Sequence, residues 1–230
     1  MAKKRGLLFF LFNTGEVIYP VAPIPEELAA LDEEGEFDGW ELGYKCSHFG
    51  LFFADVWCWD EDLVPYGGCR LCIVHVEGLR GLPPSCTTQV ADGMVVTTEN
   101  EEILETRRMV LRLLLADHPT DCLSCHQNLR CELQQLQQDL GVYGHGLPPT
   151  GREGTKDKSN AVFWRDMSKC VLCARCTKTC HEILGLGAID LVSRGYEAEP
   201  APFLAKDIRS SNCESCGECV VHCPTGALAF

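Results

Sequence analysis

Eight of the sixteen cysteines fall in two runs of identical spacing, and that spacing already names a chemistry. Cys170, Cys173, Cys176 and Cys180 lie in CVLCARCTKTC. Cys213, Cys216, Cys219 and Cys223 lie in CESCGECVVHC, with Pro224 next. Each run reads C-x2-C-x2-C-x3-C. Three thiolates so close together can wrap three corners of a four-iron cubane, while the fourth points away and ligates the other cluster. The spacing therefore predicts one 4Fe–4S cluster on Cys170, Cys173, Cys176 and Cys223, and a second on Cys180, Cys213, Cys216 and Cys219. Zinc knuckles use separated pairs of cysteines rather than runs of four. The first run has His181 where the second has proline, and neither residue is a ligand in this scheme.

Two further groups lie upstream. DHPTDCLSCHQNLRC supplies Cys122, Cys125 and Cys131, one donor short of a four-ligand site. His118, four residues before Cys122, and His126, between two of the cysteines, compete for the fourth place. Pro119 stiffens the turn behind His118, which suits a chain leaving a helix and folding back over a cluster, and favours His118. The remaining group, Cys58, Cys69, Cys72 and Cys86, reads C-x10-C-x2-C-x13-C. A 2Fe–2S cluster held by a loop and a strand end fits it, and so does a zinc ribbon. Gly67 and Gly68 give the loop backbone freedom for amides to approach inorganic sulfide. Only Cys46 is left over, as a buried apolar cysteine or a ligand in a different arrangement.

These sites need short elements around them. GLLFFLFNTGEVIYPV reads as two strands with a turn at Asn13–Gly15. Cys72–Glu77 and Gly93–Thr98 read as two more, giving a small mixed sheet that carries the first group. PEELAALDEEG suggests a short helix. Thr98 and Glu101 form a T-x-x-E capping box, after which Ile103, Leu104, Val110, Leu111, Leu114 and Leu115 recur at helical spacing up to His118–Pro119. A Gln-rich helix is expected from Cys131 to Leu140, ending at Gly141. GLPPTGREGTKDKSN reads as a polar linker. The organisation expected is a 2Fe–2S domain over 1–97, a helical domain over 98–146, a linker over 147–160 and a two-cluster domain over 161–230.

Composition narrows the setting. The 230 residues carry a formal net charge of −13, with 33 acidic against 20 basic side chains. Phosphate backbones and anionic lipid would be repelled, which argues against nucleic acid and membrane surfaces as partners. No apolar run is long enough to span a bilayer. The run Leu7–Phe12 is shorter than a signal-peptide core and meets NTGE with no small-residue cleavage site, so it reads as a strand. Grouped cysteines in such a chain point to metal in a reducing, cytoplasmic compartment. No G-x-G-x-x-G fingerprint is present, and no acid–base or nucleophile constellation stands outside the metal ligands.

The order of sites resembles the N-terminal iron–sulfur region of the large electron-input subunit of respiratory complex I, which also opens iron-only hydrogenases and some NAD-dependent formate dehydrogenases. In size the chain is similar to the stand-alone diaphorase iron–sulfur subunit of NAD-linked nickel–iron hydrogenases. The matching text is CRLCIVHVEG, DGMVVTT, RRMVLRLLLADHPTDCLSCHQNLRCELQ, RDMSKCVLCARCTKTCHEILG, SRG and CESCGECVVHCPTGAL, roughly residues 58–230. The resemblance implies an α+β fold: a β-grasp 2Fe–2S ferredoxin domain on Cys58, Cys69, Cys72 and Cys86, a small helical domain with His118 as the histidine ligand beside Cys122, Cys125 and Cys131, and a bacterial-type two-cluster ferredoxin domain. It implies one 2Fe–2S and three 4Fe–4S clusters. The expected role is a non-catalytic relay of single electrons, in a stand-alone subunit or a fragment. Its partners would be an NADH-reacting flavoprotein and a hydrogenase or formate dehydrogenase subunit. An electron-input arm of a complex I-like or bifurcating complex is the alternative within the class, and a metal-binding structural or redox-sensor protein is the alternative outside it.

Overall fold

The computed structural model describes residues 9–10, 16–18, 58, 60, 62–89, 91, 93–144, 147–148, 154–205 and 207–230. Cys46, the turn at Asn13–Gly15 and the helix expected in PEELAALDEEG lie outside the described residues. The chain divides into two compact units. One comprises residues 1–54 and 72–107, the other 55–71 and 108–230.

The first unit is built on a sheet of four short strands, β1 (Phe9–Phe10), β2 (Glu16–Ile18), β3 (His75–Val76) and β4 (Val95–Thr97), in the order β1-β2-β4-β3. Phe9 pairs with Ile18, and Val96 pairs with Val17 on one edge and Val76 on the other; each described pairing is antiparallel. The mixed sheet expected from the sequence is thus antiparallel in its described part. β3 is shorter than expected because its approach bends into an isolated bridge between Ile73 and Pro84, and proline cannot donate to a continuing ladder. Helix α1 (Glu101–Leu115) follows. Its cap falls on Asn100, whose Oδ1 accepts from the Ile103 amide at 2.8 Å, two residues beyond the capping box expected at Thr98. Asparagine is among the best N-caps. It leaves the Thr98 carbonyl to accept from the Arg107 guanidinium at 3.2 Å, while the same nitrogen donates to the Ile73 carbonyl at 2.9 Å.

The boundary between the units falls inside α1. In the second unit, Leu111 and Leu115 of α1 are buried, as are Leu133 and Leu136 of α2 (Glu132–Asp139). Each such side chain contributes roughly 1.5–3 kcal/mol of burial. α2 closes in a Schellman turn: the Val142 amide donates to the Gln137 carbonyl at 2.9 Å and the Gly141 amide to the Gln138 carbonyl at 3.2 Å. Gly141 sits at φ +64°, which glycine adopts without a Cβ penalty.

The C-terminal part carries a sheet of β5 (Lys156–Asp157), β6 (Trp164–Asp166) and β9 (Leu228–Ala229), and a hairpin of β7 (Asp190–Val192) and β8 (Glu199–Ala201). Strand β5 falls inside the stretch read as a linker. Buried Asp157 anchors it, accepting from the amides of Ile208 at 2.7 Å and Ser159 at 2.8 Å and facing buried Arg165 at 3.6 Å. Arg165 also donates to the Pro200 carbonyl. Short helices α3 (Arg175–Lys178) and α4 (Glu218–Val221) pack on a core of Phe163, Met167, Ile189, Ile208, Val220 and Leu228. Among the described residues, no helix is long and apolar enough to cross a membrane.

Candidate metal centres

The stretch from Asp117 to Cys131 folds around a cavity. After α1 the chain turns with the His118 amide on the Leu115 carbonyl at 3.2 Å. A 3-10 turn over Cys122–Ser124 follows, closed by the Cys125 amide on the Cys122 carbonyl at 3.0 Å. Cys131 then occupies the N-cap of α2, where the helix dipole favours a thiolate. Gln134 braces the loop between, accepting from the Leu129 amide and donating to Asn128 Oδ1, both at 2.9 Å. His118, Cys122, Cys125 and Cys131 all line one cavity of about 320 Å³. His126 is not among the residues lining it, and its ring meets Trp164 edge-on at 5.3 Å between centroids. Burial pushes the Cys131 thiol up, the amides of Gln134 and Leu133 oppose that, and the charges of Cys125 and Cys122 add to it. Such a thiol gives up its proton to a metal rather than to water.

Gly226 closes the same cavity, and sequence reasoning gave it no role. A Cβ there would stand 2.6 Å from Cys125 Sγ and 3.2 Å from His126 Cε1. The glycine two residues after Pro224 in CPTG was the available signal.

The two C-x2-C-x2-C runs share one backbone. Leu172 and Ser215, each the second residue after the first cysteine, lie at φ +56° and +60°. Each donates its amide back to that cysteine's sulfur, at 3.4 Å to Cys170 and 3.4 Å to Cys213. Ala174 and Gly217, each after the second cysteine, are the left-handed N-caps of α3 and α4. Cys180 lies in a π-helical turn over Thr179–Ile183, and its sulfur accepts from the Ala188 amide at 3.2 Å. Amides aimed at sulfur favour the thiolate and, in a cluster, the more negative reduced state.

The thiols of the two runs act on one another. Burial pushes Cys176 well above the usual thiol range, and the thiols that add to the rise are Cys173, Cys170, Cys223 and Cys219. Cys173 is raised by burial, then by Cys223 and Cys170. Cys219 is pushed up to about 12 by burial, then by Cys213, Cys216, Cys180 and Cys223. Cys223 thus acts on thiols of both runs, while Cys180 acts on Cys213 and Cys219 of the second. Cys219 also acts on Cys176, so the two runs lie within electrostatic reach of each other.

In the first group, Cys58 and Cys69 belong to the second unit and their sulfurs lie 3.5 Å apart. Cys69 is raised by its hydrogen bond with Cys58 and by burial, and the Leu71 amide opposes this. Gly67 takes φ +66°, the left-handed region that favours glycine, and a Cβ on Gly68 would meet the exposed Tyr66 ring at 2.4 Å, so the ring would have to swing aside. Cys72 and Cys86, in the first unit, are fully buried, with the Ser85 amide on the Cys72 carbonyl at 2.9 Å. No disulfide joins the described cysteines. Among the described residues, no three His, Cys, Asp or Glu side chains converge on one point as a single bound ion would require. A cluster binds its ligands through separate irons, so its donors stand apart.

Grouped thiols with amides turned toward their sulfurs are the donor chemistry of an iron–sulfur protein. Three family models agree: a 2Fe-2S iron-sulfur cluster binding domain over residues 57–101, the NADH-ubiquinone oxidoreductase-G iron-sulfur binding region over 107–145, and the ferredoxin-like domain of NADH-quinone oxidoreductase subunit 3 over 161–229. The chain belongs to this family of NADH oxidoreductase iron–sulfur regions. It is 45% identical over 163 residues to the NADP-reducing hydrogenase subunit HndD of Solidesulfovibrio fructosivorans, matching 70% of this chain and 27% of that one. It is 38% identical over 176 residues to the NADPH-Fe(3+) oxidoreductase subunit alpha of Geobacter sulfurreducens, matching 74% of this chain and 20% of that one. The chain thus spans about a quarter or less of the length of these relatives. A chain in the crystal structure of an NAD+-reducing [NiFe]-hydrogenase in the H2-reduced state has the same fold, with a TM-score of 0.78, 24% identity, and coverage of 84% of this chain and 82% of that one.

Proposed function

We propose that this chain relays single electrons between an NAD(H)-reacting flavoprotein and a catalytic partner, a hydrogenase or formate dehydrogenase, in the cytoplasm. The observation that carries the reading is the ferredoxin-like match over residues 161–229, supported by the action of Cys223 on Cys173 and Cys176 and of Cys180 on Cys213 and Cys219. Cys170, Cys173, Cys176 and Cys223 form one donor set, and Cys180, Cys213, Cys216 and Cys219 another, as two adjacent 4Fe–4S clusters require. The shared cavity supports a third 4Fe–4S site on His118, Cys122, Cys125 and Cys131. The 57–101 family match supports a 2Fe–2S site on Cys58, Cys69, Cys72 and Cys86 in a β-grasp ferredoxin domain.

The clusters, when bound, store and pass one electron at a time. The chain itself supplies thiolates, amides that compensate negative charge on sulfur, and burial that excludes water. A flavin partner would split a hydride's electron pair into the single steps such sites accept.

Anoxic purification with iron and sulfide analysis tests the reading. About 14 iron atoms per chain are expected, from one two-iron and three four-iron clusters. A colourless protein holding zinc would leave a structural or sensor protein in its place. Chains recovered with it, identified by mass spectrometry, test the partners: a flavoprotein with a hydrogenase or formate dehydrogenase subunit supports the relay, and a chain recovered alone counts against it.

A further inference from the structure

A chain of charged side chains joins the ligand loops of the second unit. Arg175 stands between Cys173 and Cys176. Its guanidinium grips Glu132, the residue after Cys131, with Nη1 on Oε1 at 3.0 Å and Nη2 on Oε2 at 3.2 Å. The Arg175 side chain keeps only 11% of its surface. Burial works against its charge, and Glu132, with smaller help from Cys173 and Asp60, more than offsets that. Arg175 also lies within electrostatic reach of Asp60, two residues after Cys58. Asp60 in turn meets His222, the residue before Cys223, at 2.8 Å, with side chains 14% and 13% exposed. Alongside runs a backbone link, the Glu132 amide on the Pro224 carbonyl at 3.3 Å, which connects Cys131 to Cys223 through one hydrogen bond. The loop after Asp60 is tied down again where the Val64 amide donates to Glu182 Oε2 at 2.9 Å.

Each charged member of this chain is thus within two residues of a proposed ligand, and the ligands belong to three different sites. Structural stability alone gives no reason for that. Partly buried ion pairs are costly to desolvate, and well-packed apolar residues of similar volume often serve a core as well. What ion pairs with fixed geometry do supply is register. A bidentate arginine–carboxylate fork fixes both distance and angle, as a lysine cannot.

We propose that Arg175, with the Asp60–His222 pair, is a positioning residue of the relay: the network holds the loops of Cys58, of Cys131 and of the Cys170 set at fixed separations, so that electrons cross between them at a set rate. This rests on the relay function proposed for the chain. Arg175 does not carry the electron; it fixes the gap the electron crosses and places a positive charge beside the Cys170 set.

The test uses the full, cluster-loaded chain under anoxic conditions, with Arg175→Gln, Arg175→Lys and His222→Gln. Iron per chain is measured first. Then electron redistribution after a reducing pulse and the magnetic splitting between reduced clusters are followed by freeze-quench paramagnetic resonance. Loaded Arg175→Gln is expected to redistribute electrons about tenfold more slowly or worse, with altered splitting, since small misplacements of fixed reacting groups act on that scale. Arg175→Lys, which keeps the charge and loses the fork, should fall between the two. His222→Gln should slow transfer at the Cys58 loop and spare the Cys131 link. Parental rates and splittings in loaded Arg175→Gln and His222→Gln overturn the proposal. So does loss of iron in all three variants, which would make the network a folding element only. A parental chain without iron would defeat the relay reading instead.

Discussion

The two cysteine runs of the C-terminal domain have one backbone and two environments. Both turn through left-handed residues at equivalent places, and both return an amide to their first sulfur at 3.4 Å. The first run reads CVLCARC, with Lys169 before it, Arg175 within it and Cys173 buried. The second reads CESCGEC, with Glu214, Cys216 and Glu218 exposed. Duplicated loops therefore do not have duplicated surroundings. The ligands and local amides are shared, and what remains to separate the potentials is charge and exposure. Arg175 favours electron uptake at the first set, while burial opposes it. Glu214 and Glu218 oppose uptake at the second, while water softens their effect.

The sharpest way to break the comparison is to remove one crossing cysteine at a time. Cys223→Ala is expected to abolish the spectrum of the Cys170 cluster and spare the Cys213 cluster, and Cys180→Ala the reverse, each with the loss of up to about four irons per chain. If each variant instead emptied the run in which it lies, the runs would be separate sites and the crossing would be wrong. A smaller difference should follow from exposure. Brief contact of the loaded chain with air is expected to destroy the Cys213 cluster before the Cys170 cluster, because Cys216 alone among the described cysteines is exposed. Paramagnetic resonance taken at intervals gives the order of loss.

Much of this was legible in the sequence, for a physical reason. A ligand run is a local pattern: four sulfurs in eleven residues announce their chemistry wherever the chain lies, and His118 needed only three cysteines nearby to be suspected. Helices α1 and α2 were legible because their apolar residues recur at helical spacing and Gly141 marks a stop. The misplaced cap is a near miss of the same kind: Thr98 and Asn100 are both good caps, and only the fold shows that Thr98's carbonyl is occupied by Arg107. Strand β5 escaped because a two-residue strand in a polar stretch has no periodicity, and buried Asp157 is held by partners up to 51 residues away. The contacts Arg175–Glu132 and Asp60–His222 span 43 and 162 residues. No spacing rule reaches that far, so charged residues inside ligand runs read as spacers until the fold pairs them.

The charge difference between the runs can be sharpened without touching a ligand. Glu218→Gln removes one exposed negative charge from the first turn of α4, and the midpoint potential of the Cys213 cluster should rise. For a single solvated charge the rise should stay below about 60 mV, a tenfold change in a one-electron equilibrium. It should shrink as salt is added. A redox titration at two ionic strengths reads both. An equal rise at the Cys170 cluster would mean that the charge acts on the domain as a whole, and the two environments would not be distinct.

The smallest difference concerns a single Cβ. Ala174 and Gly217 hold the same left-handed cap, at φ +63° and +84°, yet only one is glycine. An alanine there costs about 1–2 kcal/mol relative to its preferred conformation, whereas glycine pays in unfolded-state entropy instead. Ala174→Gly should therefore stabilise the loaded chain by up to about 1 kcal/mol, raising its anoxic unfolding midpoint by up to about 2–4 °C. Gly217→Ala should lower the midpoint, since its Cβ would also stand 2.7 Å from the Phe230 ring. That ring is exposed and can swing aside, so the backbone sets most of the cost. Opposite signs in the two variants would show that the loops share one strained geometry. A loss of stability on Ala174→Gly would show that the Ala174 methyl, in its buried position, contributes packing that Gly217 does not need.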